Sequence, residues 1–303
     1  MNPALGTKTA VITGATGFVG SHLARHLVSS GWNVHAIVRP VSKSLSLLQM
    51  SDRITIHRHY GSTLDMIDIM KEIKPDLVFH LASLFLAQHQ ARDVTPMIQS
   101  NLTFATQLLE AMNASGVCRL VNTGTSWQHY ENKQYSPVCL YAATKQAFES
   151  ILAYYTEATP LQAVTLKLFD TYGPDDTRPK LFTLLQKAAR EQIPLPMSAG
   201  EQLLDLVYID DVVNAFCLAA EHLLEGKNAS KSESFAVSSG NPVTLKHIVS
   251  TYEKAIGREV NIQWGARPYR PREVMVPWNQ GDIVPDWRPL IDLETGIKKI
   301  VPH

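Results

Sequence analysis

The stretch Thr9–Gly31, "TAVITGATGFVGSHLARHLVSSG", decides the fold. Its opening residues are small, apolar or β-branched and read as a buried strand. Val19, Leu23 and Leu27 then recur every four positions and predict a helix that stops at Gly31. Gly14, Gly17 and Gly20 fall between the two. Such glycines let a turn tighten and let backbone approach a pyrophosphate, which the helix N-terminus stabilises. Gly14, Thr16, Gly17, Phe18 and Val19 are therefore candidate cofactor contacts. A lone glycine triplet is a weak signal, but one lodged between strand and helix is a strong one.

The same rhythm continues outward. "NVHAIVR", "RITIHRHYG", "PDLVFHLAS", "CRLVNTG" and "LQAVTLKLFD" read as further strands. "TPMIQSNLTFATQLLEAMNASG" and "AATKQAFESILAYYTEAT" read as helices. Alternation of this kind predicts an α/β protein with a Rossmann-type doubly wound parallel sheet and ligands at the strands' carboxyl ends. Beyond Asp170 the rhythm degrades into proline-rich pieces and isolated helices. Residues 1–170 are expected to form the dinucleotide-binding domain, and 171–303 a smaller, mixed substrate-binding lobe. The unit "DLVYIDDVVNAFCLAAEHL" returns the chain to the large lobe near 205–225.

The 303 residues are 45% hydrophobic and 18% charged, with 28 basic and 28 acidic side chains, so no general basic footprint for nucleic acid exists. Cys118, Cys139 and Cys217 are isolated and read as buried free thiols. The first residues lack a signal-peptide pattern, and the longest apolar run, Leu77 to Ala87, is too short to span a bilayer. A cytoplasmic protein without a membrane partner is expected, which leaves the sequons at Asn101, Asn113 and Asn228 without meaning.

The second strand ends where the adenosine ribose would lie. An acid there would bond the 2′-hydroxyl, but this chain has Arg39, followed by Ser42 and Lys43. Guanidinium, hydroxyl and ammonium suit a phosphate monoester, so NADPH is preferred, with NADH the alternative. By position alone, Ser62 and Thr63 belong near the adenine, and Leu81, Ala82 and Ser83 beneath the middle of the cofactor.

Tyr141 and Lys145 are four residues apart and share one face of a helix. A neighbouring ammonium favours phenolate and moves the tyrosine pKa downward. A hydroxyl before them can bind a substrate oxygen; Thr123, Thr125 and Ser126 compete for that role.

"TGATGFVG", "HLAS", "YAATK", "FDTYGPDD", "LVYIDDVVNAF" and "PDWRPLIDLETGIKKIV" together resemble the extended short-chain dehydrogenase/reductases that act on nucleotide sugars. "GEQLLDLVYIDDVVNAF" and "YGPDDTRPKLF" are most similar to the branch of CDP-abequose and CDP-paratose synthases, which reduce a 4-keto group with NADPH. The resemblance implies Tyr141 as general acid, Lys145 as its ribose-bound partner, and Thr125 as the third catalytic hydroxyl. It also implies cofactor roles for Asn101, Thr123 and Phe169. For the substrate, a nucleoside-diphosphate keto-deoxy sugar, it points to Ser126, Trp127, Asp170, Lys180 and Arg270, with Arg272 close by. Relatives suggest a homodimer through the helices starting near Thr95 and Tyr141.

Departures from the family narrow the reaction. A 4,6-dehydratase would carry an Asp-Glu pair after the strand-end hydroxyl, where this chain reads Thr-Ser-Trp, and Glu131 is the only acid before Tyr141. Leu204 replaces an expected phosphate-binding arginine, and Asp170 replaces an asparagine. His129 and Tyr130 are candidates for a sugar face. The expected activity is NADPH-dependent keto reduction; an epimerase with bound NAD and a non-catalytic dinucleotide sensor are the alternatives.

Overall fold

The computed structural model describes residues 7–42 and 53–301. Strands β1 (Thr9–Thr13), β2 (Asn33–Val38), β3 (Ile54–Arg58), β4 (Leu77–His80), β5 (Arg119–Thr125) and β6 (Gln162–Leu168) appear where the apolar runs predict them. With β9 (Ser232–Val237) they form a seven-stranded, wholly parallel sheet in the order β9-β6-β5-β4-β1-β2-β3. The order reverses between β1 and β4, and the crevice above that switch point is where such sheets bind ligands.

Alternation along the strands sends side chains to opposite faces. Ala10 and Ile12 enter one core with helices α1 (Phe18–Ser29), α6 (Leu181–Glu191), α7 (Ile209–Leu224) and α8 (Leu245–Ile256). Val11 and Val78 enter the other, under α2 (Thr63–Ile73), α4 (Phe104–Ser115) and α5 (Leu140–Ala158). Short helix α3 (Val94–Ile98) runs into α4 through a π-helical turn, Gln99–Thr103. Helix α9 (Leu293–Ile300) closes the chain against α8.

The second half differs from expectation in two ways. The strand of the returning unit, β8 (Leu206–Tyr208), does not join the main sheet; it pairs with β7 (Asp170–Tyr172) in a two-stranded sheet of its own. The seventh strand is Ser232–Val237, which sequence reading passed over because only its last two residues are fully buried. Helix α7 does pack beside α1 and onto β5 and β6. The C-terminal residues also lack a core of their own: Leu245, Ile248, Val249 and Tyr252 of α8 belong to the same buried cluster as Ile12 and Leu23. The three cysteines are free and only partly buried. Among the described residues no helix is long and apolar enough to cross a membrane.

Candidate active site

The glycine turn shapes the floor of the crevice. Gly14 has φ +78, and a Cβ there would lie 2.7 Å from the Ala82 nitrogen, so the turn packs directly on the segment after β4. A Cβ at Gly20 would collide with the Gly14 carbonyl oxygen, which explains how closely α1 starts against the turn. Gly17 caps α1 with no side-chain hydrogen bond, and no acid lies in the first turn, leaving the leading amides available to an anion. The segment after β4 is pinned in place: Thr13 Oγ1 lies 2.8 Å from His80 Nδ1 and accepts a hydrogen bond from the Ala82 amide at 3.2 Å. Burial, then the Lys145 charge, lowers the His80 pKa to about 3, so this imidazole is neutral.

A groove of about 250 Å³ runs over this floor. It brings together Gly14, Gly17, Phe18, Val19, Leu81 and Ser83 from the first half of the site. From the second half come Thr123, Thr125, Ser126, Trp127, Tyr141, Phe169, Asp170 and Lys180. A larger cavity of about 590 Å³ continues from it, sharing Phe85, Trp127, Asp170 and Lys180 and adding Arg270 and the end of α9. The lining suits a dinucleotide: bare backbone at Gly17, an uncapped helix start, and a Thr123 hydroxyl that is buried without any hydrogen-bond partner.

Tyr141 and Lys145 occupy the first turns of α5, both buried, with the Lys145 ammonium 5.9 Å from the tyrosine ring centroid. The Tyr141 hydroxyl lies near the Ser83 side chain, which favours the ionised phenol. Burial dominates its titration and pushes the pKa up, against the expected lowering, because the phenol has been withdrawn from water. At neutral pH it is therefore a proton donor. Burial also lowers Lys145 to about 8, partly opposed by Glu149 one turn further on.

Thr123 and Thr125 point the same way along β5, as period two requires. Thr125 opens a 3₁₀ turn: its Oγ1 accepts from the Trp127 amide at 3.3 Å, and its own amide donates to Gln128 Oε1 at 3.0 Å. The Gln128 amide in turn donates to Gln146 and Glu149 on α5. The hydroxyl-bearing turn and helix α5 are thus joined from below.

On the substrate side, Lys180 pairs with Asp170 at 3.6 Å. The Arg270 guanidinium is held by Glu273 at 2.9 and 2.7 Å and lies 5.3 Å from the Trp127 ring centroid. Arg272 is not in the cavity. It bonds the Pro137 carbonyl and the Ser136 hydroxyl and tethers the C-terminal residues to the loop before Tyr141. His129 stacks on Trp278 at 4.1 Å and meets buried Lys167 at 2.9 Å, which makes it packing beneath the cavity more than a sugar face; Tyr130 carries the Arg272 guanidinium on its ring.

Several expected cofactor contacts lie outside the groove. Ser62 caps α2 by accepting from the Asp65 amide, and Thr63 lines a separate depression against α4 and Tyr155. Asn101, on the π turn, is 3% exposed; its amide bonds the Leu84 carbonyl and Thr144, and its oxygen accepts from the Leu84 amide. It shapes the segment after β4 without reaching the groove. Arg39 and Ser42 lie in an exposed turn past β2, joined by the Ser42 amide to the Arg39 carbonyl at 3.0 Å; Lys43 lies outside the described residues. Thr16 is exposed in the glycine turn, and Ala82 is taken up in its support.

Sequence reasoning missed Phe85 and Arg178, which both line the groove. Arg178 grips Asp176 at 2.6 and 2.7 Å and stacks 4.4 Å over Phe18. Neither has a local signature: Phe85 looks like the continuation of an apolar strand, and Arg178 like a loop charge.

The sequence profile of the NAD dependent epimerase/dehydratase family matches residues 10–232. The chain belongs to this family. It is thus an extended short-chain dehydrogenase/reductase, an oxidoreductase-type enzyme dependent on a nicotinamide dinucleotide. Among curated relatives it is 27% identical to the CDP-abequose synthase of Salmonella muenchen, with 97% of each chain covered. It is 28% identical to that of Yersinia pseudotuberculosis, covering 88% of this chain and 90% of the relative. Among solved structures, the UDP-glucuronic acid 4-epimerase from Bacillus cereus, in complex with UDP-glucuronic acid and NAD, is 25% identical. It superposes with a TM-score of 0.82 over 96% of this chain and 97% of that one. The UDP-glucose 4-epimerase from Brucella ovis, at 20% identity and a TM-score of 0.84 over 98% of both chains, shares the fold.

Proposed function

We propose that this enzyme uses NADPH to reduce the C4 keto group of a nucleoside-diphosphate 4-keto-6-deoxy sugar, with Tyr141 as proton donor. One observation carries the reading. Among the described residues, the groove presents a protonated phenol and a single carboxylate, Asp170, itself paired with Lys180. Dehydration needs two positioned carboxyl groups. Ser126 and Trp127 stand where they would be, and Glu131 is out in water, paired with Lys133. The similarity to CDP-abequose synthases over nearly the whole chain supports a nucleotide-sugar substrate.

The turn at Gly14 and Gly17 and the amides of α1 would hold the pyrophosphate, and Arg39 with Ser42 the 2′-phosphate. NADPH supplies the hydride when bound. Tyr141 gives its proton to the carbonyl oxygen, and the Lys145 ammonium stabilises the phenolate left behind. Because Thr125 Oγ1 accepts from the Trp127 amide, its hydrogen is free to bond the same substrate oxygen. Asp170, paired with Lys180, offers an acceptor to a substrate hydroxyl.

The test is NADPH oxidation with 4-keto-6-deoxy sugar nucleotides carrying each base. Wild type consumes NADPH, and Tyr141→Phe lowers kcat on the order of 10²–10⁴-fold while NADPH affinity stays near wild type. Near-normal turnover in the variant would remove Tyr141 from the mechanism, and a clear NADH preference would remove the role of Arg39. A second reading, a 4-epimerase that retains NAD, is supported by the similar epimerase structures. NAD copurifying with the protein, without net oxidation of added NADPH, would select it.

A further inference from the structure

The wall beside the catalytic phenol is aromatic, and none of the roles above accounts for it. Phe85 follows β4 and lines both the groove and the larger cavity. It is 42% exposed, so it is not there to complete the core. Its ring meets Tyr141 edge-on at 4.9 Å and 82°, and meets Trp127 at 5.6 Å. The Lys180 ammonium lies 5.3 Å from its centroid. The Phe85 ring thereby touches a proton donor, an indole and a cation, and what remains open is apolar surface at the join of the two spaces. This surface adjoins the Tyr141 ring, where it can receive a carbon beside a carbonyl that Tyr141 protonates. A hydroxyl on that carbon would leave water and find no partner in the ring.

We propose that Phe85 is a specificity-determining residue: with Trp127 it selects sugars that carry a methylene in place of a hydroxylated carbon beside the reacting carbonyl. This rests on the reductase reading for its reaction and adds which part of the sugar is read, and by what. The segment bearing Phe85 is held by Asn101 through both the amide and the carbonyl of Leu84, at 2.7 and 3.1 Å. The backbone that carries the ring is therefore held in place, as discrimination against one added hydroxyl requires.

The experiment compares kcat/KM for matched 4-keto sugar nucleotides that differ only in deoxygenation next to the carbonyl, in wild type, Phe85→Ser and Phe85→Leu. An apolar wall rejects one hydroxyl by about 10–100-fold. Wild type should favour the deoxygenated member by that factor, and Phe85→Ser should bring the ratio close to unity, chiefly by improving the hydroxylated member. Phe85→Leu, still apolar, should keep the preference. An unchanged ratio in Phe85→Ser, or equal use of both sugars by wild type, overturns the proposal. If wild type reduces neither sugar, the reductase reading fails by itself. Calorimetric affinities of the same variants for the same pairs then decide Phe85, with the same ratios expected and a flat result overturning it.

Discussion

Lys145 shows how burial sets chemistry at a single residue. Folding withdraws its ammonium from water, and the pKa falls from 10.5 to about 8 against the raising influence of Glu149. The ammonium therefore predominates below about pH 8 and is lost above it. Activity that needs this charge beside Tyr141 should decline as pH rises through about 8. Glu149→Gln removes the raising influence and should move that limb to lower pH, which a kcat/KM profile reads directly. A limb that stays in place would show that Lys145 is not the group titrating. The same depression costs stability while the folded group is protonated, and the cost fades as pH rises from about 8 toward 10.5. Tyr141 moves the opposite way for the same reason, since burial favours the neutral form of either group. The i, i+4 spacing places the pair on one helix face but carries no information about how dry that face becomes.

At the scale of elements, the π turn Gln99–Thr103 is the least legible feature and one of the more consequential. An uninterrupted apolar pattern predicts one regular helix there; π turns inside helices occur mostly at functional sites. Here the wider turn carries Asn101 into a buried position between the segment after β4 and Thr144 on α5. Asn101→Ala would leave the buried Leu84 amide and the Thr144 hydroxyl short of a partner. A loss of about 1–3 kcal/mol in unfolding free energy is expected, measured by urea denaturation, together with a lower kcat because Ser83 and Phe85 lie on the released segment. Wild-type stability and turnover in the variant would contradict this role.

For the whole molecule, the returning helix α7 is what ties the C-terminal residues to the sheet. Asp211 in its first turn accepts from the Leu290 and Ile291 amides at 3.1 and 3.0 Å, and the Trp287 indole donates to the Asp211 carbonyl at 2.9 Å. Asp211→Ala deletes two charge-assisted bonds at a 3% exposed site. It should destabilise the protein by about 3 kcal/mol, visible as a lower urea midpoint in a single transition, because both halves share one core. Two separate transitions would show independent lobes. The alternation of short apolar runs and amphipathic stretches determined by itself the parallel sheet and the two-sided cover. The glycine spacing determined the position of the tight turn between β1 and α1. These are local patterns, set by period and by steric freedom at particular residues. Tertiary structure alone decided the rest: that Ser232–Val237 completes the sheet, that Arg272 braces a loop while Arg270 faces the cavity, and that Phe85 stands beside Tyr141. Each of these joins residues far apart in the chain, where no sequence period reaches and only packing chooses the neighbour.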